Sequence, residues 1–327
     1  MDKMSNQLVS IIIVTAEINN YILNFLNCLD SVKDQSYPHL ETIVIANSCD
    51  SNFGRNLNKL YPQIKLYSST ENLYYSNALN KGISLSNGEF ILCLNDDIIL
   101  DKNFITLAVN GFNISPKIGM ISGKILRFDK KTIDSTGLFL TIWRTAKERG
   151  YGKLDKKQYD SQGYIFGVSG AAAFYRRQML EQIKINSEYF DSDFHFYYED
   201  LDIAWRAYNF GWKAYFIPEA VVYHKRGGTA RKNKTEIIKF ARFSINDTLL
   251  FHLIKNRQLS ILKNDNLFRI FLLSPFITFY DLLALIHILL FKFKSFKKIY
   301  LQPVPFKTIL KKRIILKKKL INKSKLA

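Results

Sequence analysis

Apolar and polar positions alternate along the first hundred residues in two different rhythms. "LVSIIIVT" (8–15) is a continuous apolar run of the kind a strand buried on both faces requires. The next stretch spaces Ile22, Phe25, Leu26, Leu29 and Val32 three or four apart, which predicts a helix with Asn19 or Asn20 as its cap. Further strands are predicted at "LETIVIA" (40–46), "IKLY" (64–67) and "EFILCLN" (89–95), with a helix over 75–86. Strand and helix in alternation imply right-handed crossovers and a parallel, two-sided α/β sheet. Ligands of such sheets bind beyond the carboxyl ends of the strands. Here those ends, 15–17, 47–50 and 95–97, are all polar and include Thr15, Glu17, Asn47 and Asp50.

The middle of the chain is less regular. Strands are predicted near 118–126, 164–175 and 214–223, and a helix over 199–209 with Leu201, Ala204, Trp205 and Tyr208 on one face. Trp205 and Trp212 read as core, whereas Trp143 lies in a charged, glycine-containing stretch that reads as a loop ordered by substrate. Another helix is expected over 234–256. Residues 267–291 are strongly apolar but carry Arg269, Pro275, Asp281 and His287. The expectation is two apolar helices split near Pro275 or Asp281, lying in a membrane interface rather than spanning it. A helical subdomain packed on the rest of the protein is the alternative. Two parts follow: 1–256 as a catalytic domain and 257–327 as an apolar, basic helical segment.

Composition narrows the class. An apolar share of 47% and an aromatic share of 14% in 327 residues fit a folded chain. Cys28, Cys49 and Cys93 are odd in number and lack metal-ligand spacing, so inert thiols in a reducing cytoplasm are expected. The first apolar run is too short for a secretory leader. A net charge of +19 first points to nucleic acid, but thirteen Lys or Arg and no acid fall between Lys292 and the end. That tail supplies about two thirds of the excess and reads as a dock for an anionic membrane surface, at the inner face of the cell membrane. No aromatic and basic interleaving marks the strands, so nucleic acid is not expected as a partner.

Three stretches could carry chemistry. In "FILCLNDDIIL" a buried strand delivers Asn95, Asp96 and Asp97 to its carboxyl end, where carboxylates suit a hard divalent cation bridging a diphosphate. A polar strand-ending turn would look the same. In "AVVYHKRGG" His224 ends a strand before a basic glycine loop. It is a metal ligand or a plain strand terminus. In "SDFHFYYEDLDIAWR" Glu199 and Asp200 open a helix among aromatics. They suit a general base, or merely complement the helix dipole, as Asp202 does; Asp193 reads as loop polarity.

The order of "SIIIVT", "NLYYSNALNKGI", "GEFILCLNDD", "VSGAAAFYRRQML" and "FYYEDLDIAWRAYNFGWKAYFIPEAVVYH" resembles glycosyltransferase family 2, inverting enzymes with a GT-A fold. The likeness covers roughly residues 8–256, is most specific over 163–224 and is nearest the bacterial rhamnosyltransferase-like branch. It implies a Mg2+ or Mn2+ ion on Asp97, with Asn95 and Asp96 completing the motif and His224 completing the metal or diphosphate site. It further implies Asp200 as catalytic base beside Glu199, and Ser169, Gly170 and Ala171 lining the acceptor and donor-sugar pocket. Asn80 and Gly82 would lie near the nucleoside. The partners implied are a nucleotide-sugar donor and a glycan or lipid-linked glycan acceptor. Where the family carries a base-reading aspartate after its second strand, this chain has Ile45 and Ala46. Glu17 or Asp50 is expected to take that task. The rival expectation is a non-catalytic scaffold of a polysaccharide-assembly complex.

Overall fold

The computed structural model describes residues 7–16, 22–226, 247–293 and 305–326. The chain divides into two compact units. One comprises Met1–Phe139, Glu148–His195 and Glu199–Gly228; the other comprises Leu140–Lys147, Phe196–Tyr198 and Thr229–Ala327.

The first unit opens with β1 (Val9–Thr15), α1 (Ile22–Lys33), β2 (Leu40–Asn47), α2 (Ser51–Leu60), β3 (Lys65–Ser69), α3 (Tyr74–Ser84) and β4 (Phe90–Asn95). β1 pairs in parallel with both β2 and β4, and β2 with β3. Val9, Ile11, Ile12 and Ile13 are fully buried, the two-sided burial that an unbroken apolar run demands. Gly82 lets α3 lie against β1, since a Cβ there would stand 2.3 Å from Ile12 Cγ2.

Beyond β4 the sheet becomes mixed. β5 (Ile98–Leu100), α4 (Phe104–Gly111), β6 (Ile118–Arg127), β7 (Ile133–Ser135), β8 (Leu138–Leu140), β9 (Ala146–Glu148), β10 (Gly163–Ile165), β11 (Ala172–Arg176), α5 (Arg177–Ile183), α6 (Glu199–Asn209) and β12 (Lys213–His224) follow. The sheet order is β10-β12-β6-β11-β4-β1-β2-β3, with β5 paired to β12 and β7 to β6. β8 and β9 form a separate two-stranded ribbon. The single strand expected over 164–175 is two, β10 and β11, and the residues between them carry the Ser169–Gly170 loop. β12 shifts register against β6 between Ile217 and Val221, a bulge that accommodates Pro218.

The second unit contains α7 (Asp247–Asn264), α8 (Leu267–Phe291) and α9 (Phe306–Leu326). The helix expected over 234–256 is seen from Asp247 onward and runs on to Asn264; residues 234–246 lie outside the described ones. The boundary expected at residue 256 falls inside α7. The expected split within 267–291 does not occur: α8 is one 25-residue helix containing Pro275. Proline removes the N–H that would bond the Phe271 carbonyl, and the Ser274 hydroxyl donates to that oxygen at 2.8 Å instead. Asp281 pairs with Arg257 of α7. Trp143 is no free loop residue within this unit. Its ring packs edge-on against Phe276, its carbonyl accepts from Arg257 Nε at 3.1 Å, and neighbouring Arg144 pairs with Asp265 at 2.6 Å. Much of α8 is uncovered, with Phe268 and Phe271 more than 70% exposed. α8 is long and apolar enough to cross a bilayer by length and composition. The Asn256 amide donates to the carbonyls of Phe196 and Tyr197 at 2.7 and 2.8 Å.

Candidate active site

Two groups of side chains meet at the carboxyl ends of β1, β4 and β12. In the first, Thr15 Oγ1 donates to Asp96 Oδ2 at 2.8 Å. Burial, reinforced by Asp97, pushes the Asp96 carboxyl up to about 6, with Thr15 acting against it. The short strand β5 pairs antiparallel with β12 and sets Ile98 opposite His224. That register brings His224 Nε2 to 3.2 Å from Asp97 Oδ1. The other ring nitrogen faces Asp134 Oδ2 at 2.8 Å, and Arg226 donates to the same carboxylate. Burial opposes charge on His224, but the hydrogen bonds to Asp134 and Asp97 prevail and push it up to about 9. Asp134 is held below the usual carboxylate range because His224 and Arg226 overcome its burial.

The second group surrounds the start of α6. Asp200 Oδ2 accepts from the Gly170 N–H at 3.0 Å and Oδ1 from the Leu201 N–H at 2.7 Å. Burial raises both neighbours, Glu199 to about 8 with Asp200's charge adding to it. Glu199 Oε2 is buried without a hydrogen-bond partner. Two backbone donors favour the charge on Asp200, so the pair's proton resides on Glu199. The approach to Glu199 runs through His195, Tyr197 and Tyr198 at φ of 61°, 64° and 69°. Bulky residues hold such angles only where their surroundings enforce them.

Tyr75 links the two groups: its hydroxyl donates to Asn95 Oδ1 at 2.8 Å and lies 3.5 Å from the Gly170 carbonyl. The Asn95 N–H donates to the Ala171 carbonyl at 3.0 Å. Thr15, Asn95, Asp96, Asp97 and His224 thus sit together, with Ser169, Gly170, Ala171, Glu199 and Asp200 beside them.

Other expected residues make hydrogen bonds within the protein. Asn80 spends its amide on the backbone of Tyr189 and Phe190, donating to the Phe190 carbonyl at 2.7 Å and accepting both N–H groups. Asn47 accepts from the Leu73 N–H at 2.8 Å and donates to Asn72. Asp50 Oδ1 accepts from the Phe53 N–H at 2.8 Å and so caps α2. Glu17 lies outside the described residues. Asp202 falls in the first turn of α6, as expected. It is fully buried and pairs with Arg206 Nε at 2.9 Å. Trp205 and Trp212 are core.

Tyr75, Asp134 and Glu148 were not legible as site residues. Glu148 accepts hydrogen bonds from Ser135 and Ser169. Among the described residues no cluster of three or more His, Cys, Asp or Glu has metal-holding geometry; Asp97 and His224 stand as a pair.

The sequence profile described as Glycosyl transferase family 2 matches residues 10–184, more than half of the chain. The chain belongs to this family. It is a glycosyltransferase with a mixed α/β sheet of the GT-A type. It is 24% identical over 197 residues to the poly-beta-1,6-N-acetyl-D-glucosamine synthase of Staphylococcus epidermidis. It is 23% identical over 200 residues to the Staphylococcus aureus (strain COL) synthase. Each match covers 60% of this chain, which spans about 45% of those relatives. Among solved structures, GalNAc-T7 with UDP, GalNAc and Mn2+ superposes with a TM-score of 0.59 at 12% identity, over 79% of this chain and 48% of that one. The mannosyltransferase PcManGT from Pyrobaculum calidifontis, with GDP-Man and Mn2+, gives 0.51 at 16%, over 97% and 86%. At such identities the likeness is one of fold.

Proposed function

We propose that this family 2 enzyme is a metal-dependent inverting glycosyltransferase acting in cell-surface polysaccharide assembly. It moves a sugar from a nucleotide-sugar donor to a hydroxyl of a glycan or lipid-linked glycan. The observation that carries this reading is the Asp200 carboxylate, fixed by two backbone N–H groups on the same face as the Asp97–His224 pair. Asp200 takes the proton of the acceptor hydroxyl as that oxygen bonds to the anomeric carbon. The carbon's bond to the nucleoside diphosphate breaks, and the diphosphate leaves with the electron pair. One displacement inverts the configuration. Gly170 and Leu201 keep the base ionised and aimed.

Asp97 and His224 fit a divalent cation, Mg2+ or Mn2+. The carboxylate of Asp134 holds one imidazole nitrogen, the arrangement that orients metal-ligating histidines, and leaves the other toward Asp97. Bound there, the cation would neutralise charge on the departing diphosphate. Arg226, anchored on Asp134, adds positive charge to the same end. The branch resemblance favours rhamnose as the sugar, and Glu17 or Asp50 as the base-reading residue. The exposed apolar face of α8 and the lysines of α9 favour a peripheral site on the anionic inner face of the cell membrane.

One observation favours a scaffold reading: near its end the second strand carries buried Ile45 and Ala46, with no acid there to read a base. Incubation of the purified chain with Mn2+ and a panel of nucleotide sugars separates the two. Cation-dependent release of nucleoside diphosphate is expected; no release with any donor, with or without acceptor glycans, would leave the scaffold.

A further inference from the structure

Gly170 and Leu201 fix the two oxygens of Asp200, but the chain that delivers this residue is itself under constraint. Residues 195–198 run directly into α6, and His195, Tyr197 and Tyr198 hold left-handed angles, at φ of 61°, 64° and 69°. Residues with bulky side chains do not keep such angles unaided. What holds them changes along the turn. His195 is held from α3: its carbonyl accepts from the Ser76 N–H at 3.2 Å, and its ring stacks on Tyr74 with centroids 4.2 Å apart. The next three residues, Phe196–Tyr198, belong to the helical unit, and the chain returns to the sheet unit at Glu199.

Within the helical unit these residues meet Asn256, in the middle of α7. Its single amide nitrogen donates to the carbonyls of Phe196 and Tyr197 at 2.7 and 2.8 Å, one N–H for each. The Phe196 ring packs edge-on against His252, one turn earlier on the same helix, with centroids 5.1 Å apart. Asparagine is a poor residue for a helix interior, and Asn256 is fully buried. A buried amide is costly unless it is bonded, and the nitrogen of this one is spent on the turn. Three successive carbonyls, those of His195, Phe196 and Tyr197, are thus each tied to a donor from a helix outside the turn.

We infer that Asn256 is a positioning residue for catalysis: it holds the left-handed turn that aims the start of α6, and with it Asp200. The inference rests on the proposed function, in which Asp200 is the base, and it gives α7 a part in the reaction separate from any membrane contact. The body of α6 is fixed by buried Leu201, Ile203 and Trp205. Its first residues are less fixed, because the N–H groups of a first helical turn lack partners within the helix. They take their direction from the entering chain. Without Asn256 two carbonyls lose their donor, the turn relaxes toward ordinary angles, and the carboxylate moves off the line of the acceptor hydroxyl. A displacement of about 1 Å at a reacting group can cost about 100-fold in rate.

The test uses the full chain with Mn2+ and a nucleotide sugar that the wild type turns over. Asn256→Leu fills the space without supplying a donor; Asn256→Ala, a good helix former without added bulk, guards against misfolding. Thermal melts identify the folded variants. In these, kcat should fall about 10–100-fold, while donor KM and calorimetric affinity for the free nucleoside diphosphate stay within about threefold of wild type. A merely structural amide would lower the melting midpoint and leave kcat alone below it. Added to Asp200→Asn, Asn256→Leu should cost less than about threefold more, since it acts through that carboxylate. A folded variant with kcat within about threefold of wild type, a loss of donor affinity in parallel with kcat, or full additivity with Asp200→Asn would overturn the inference and leave the glycosyltransferase reading intact. A wild type inert toward every nucleotide sugar removes both.

Discussion

Replacing Asp200 by Asn separates fold from chemistry at a single atom. The two carboxylate oxygens each accept one backbone N–H, from Gly170 at 3.0 Å and Leu201 at 2.7 Å. An amide offers one acceptor oxygen, so in either orientation one N–H faces an NH2 group. Leaving a donor unsatisfied costs about 1–3 kcal/mol. In a domain of this size that corresponds to roughly 2–10 °C in the melting midpoint. The catalytic cost is separate and larger. Removing a general base lowers kcat about 10²- to 10⁴-fold, or ~3–5 kcal/mol of barrier. The assay pairs a thermal melt with nucleoside diphosphate release at saturating donor, and with calorimetric binding of the free diphosphate. Expected are a modest fall in the midpoint, near-complete loss of turnover and diphosphate affinity within about threefold of wild type, because binding does not use the base. A folded variant with kcat within tenfold of wild type would refute the assignment and pass the role to Glu199. An unchanged midpoint would refute the claim that the two N–H groups hold the carboxylate.

Asp134→Asn should weaken Mn2+ binding about 10–100-fold by freeing the His224 ring; calorimetry with the cation alone reads this, and unchanged affinity contradicts the arrangement. Gly82→Ala should destabilise by about 1–3 kcal/mol, because its methyl would overlap buried Ile12; a denaturant melt with an unshifted midpoint would contradict this. Glu41, lowered to about 2 because Lys65, Ser10 and the Asn87 N–H outweigh its burial, should stabilise the fold above its unfolded pKa. That stability should fade as pH falls from about 4.5 toward 2, by about 1–2 kcal/mol once the exposure of Lys65 is discounted; Glu41→Gln should flatten this slope in acid melts.

The parallel half of the fold was readable because β1, β2 and β4 are each built around an apolar run, and α6 because acids open it and Gly211 follows it. The three-residue strands β5, β7 and β9 have no period to read. Yet β5 carries Asp97 to His224, β7 presents Asp134, and β9 ends in Glu148. Glu199 and Asp200 were visible by motif, but their different protonation depends on which one receives the Gly170 N–H, a contact 30 residues distant in sequence. The bonds of Asn80, expected near the nucleoside, to the backbone of Tyr189 and Phe190 span more than a hundred residues and had no signal in the sequence. Pro275 and Asp281 look like helix breakers until Ser274 and Arg257 are seen to satisfy what they disturb.

The bulge in β12 gives the site tolerance to changes in chain length. Residues Ala214 to Ile217 keep one alignment with β6, and residues from Val221 onward keep another. The two halves of this strand are therefore geared separately. A residue gained or lost at 218–220 changes the slack between them while His224 stays opposite Ile98. The same change at Val222 would turn Tyr223 or Lys225 toward Asp97 in its place. The bend around Pro218 works as an expansion joint, letting the far edge of the sheet drift over evolutionary time without moving the histidine.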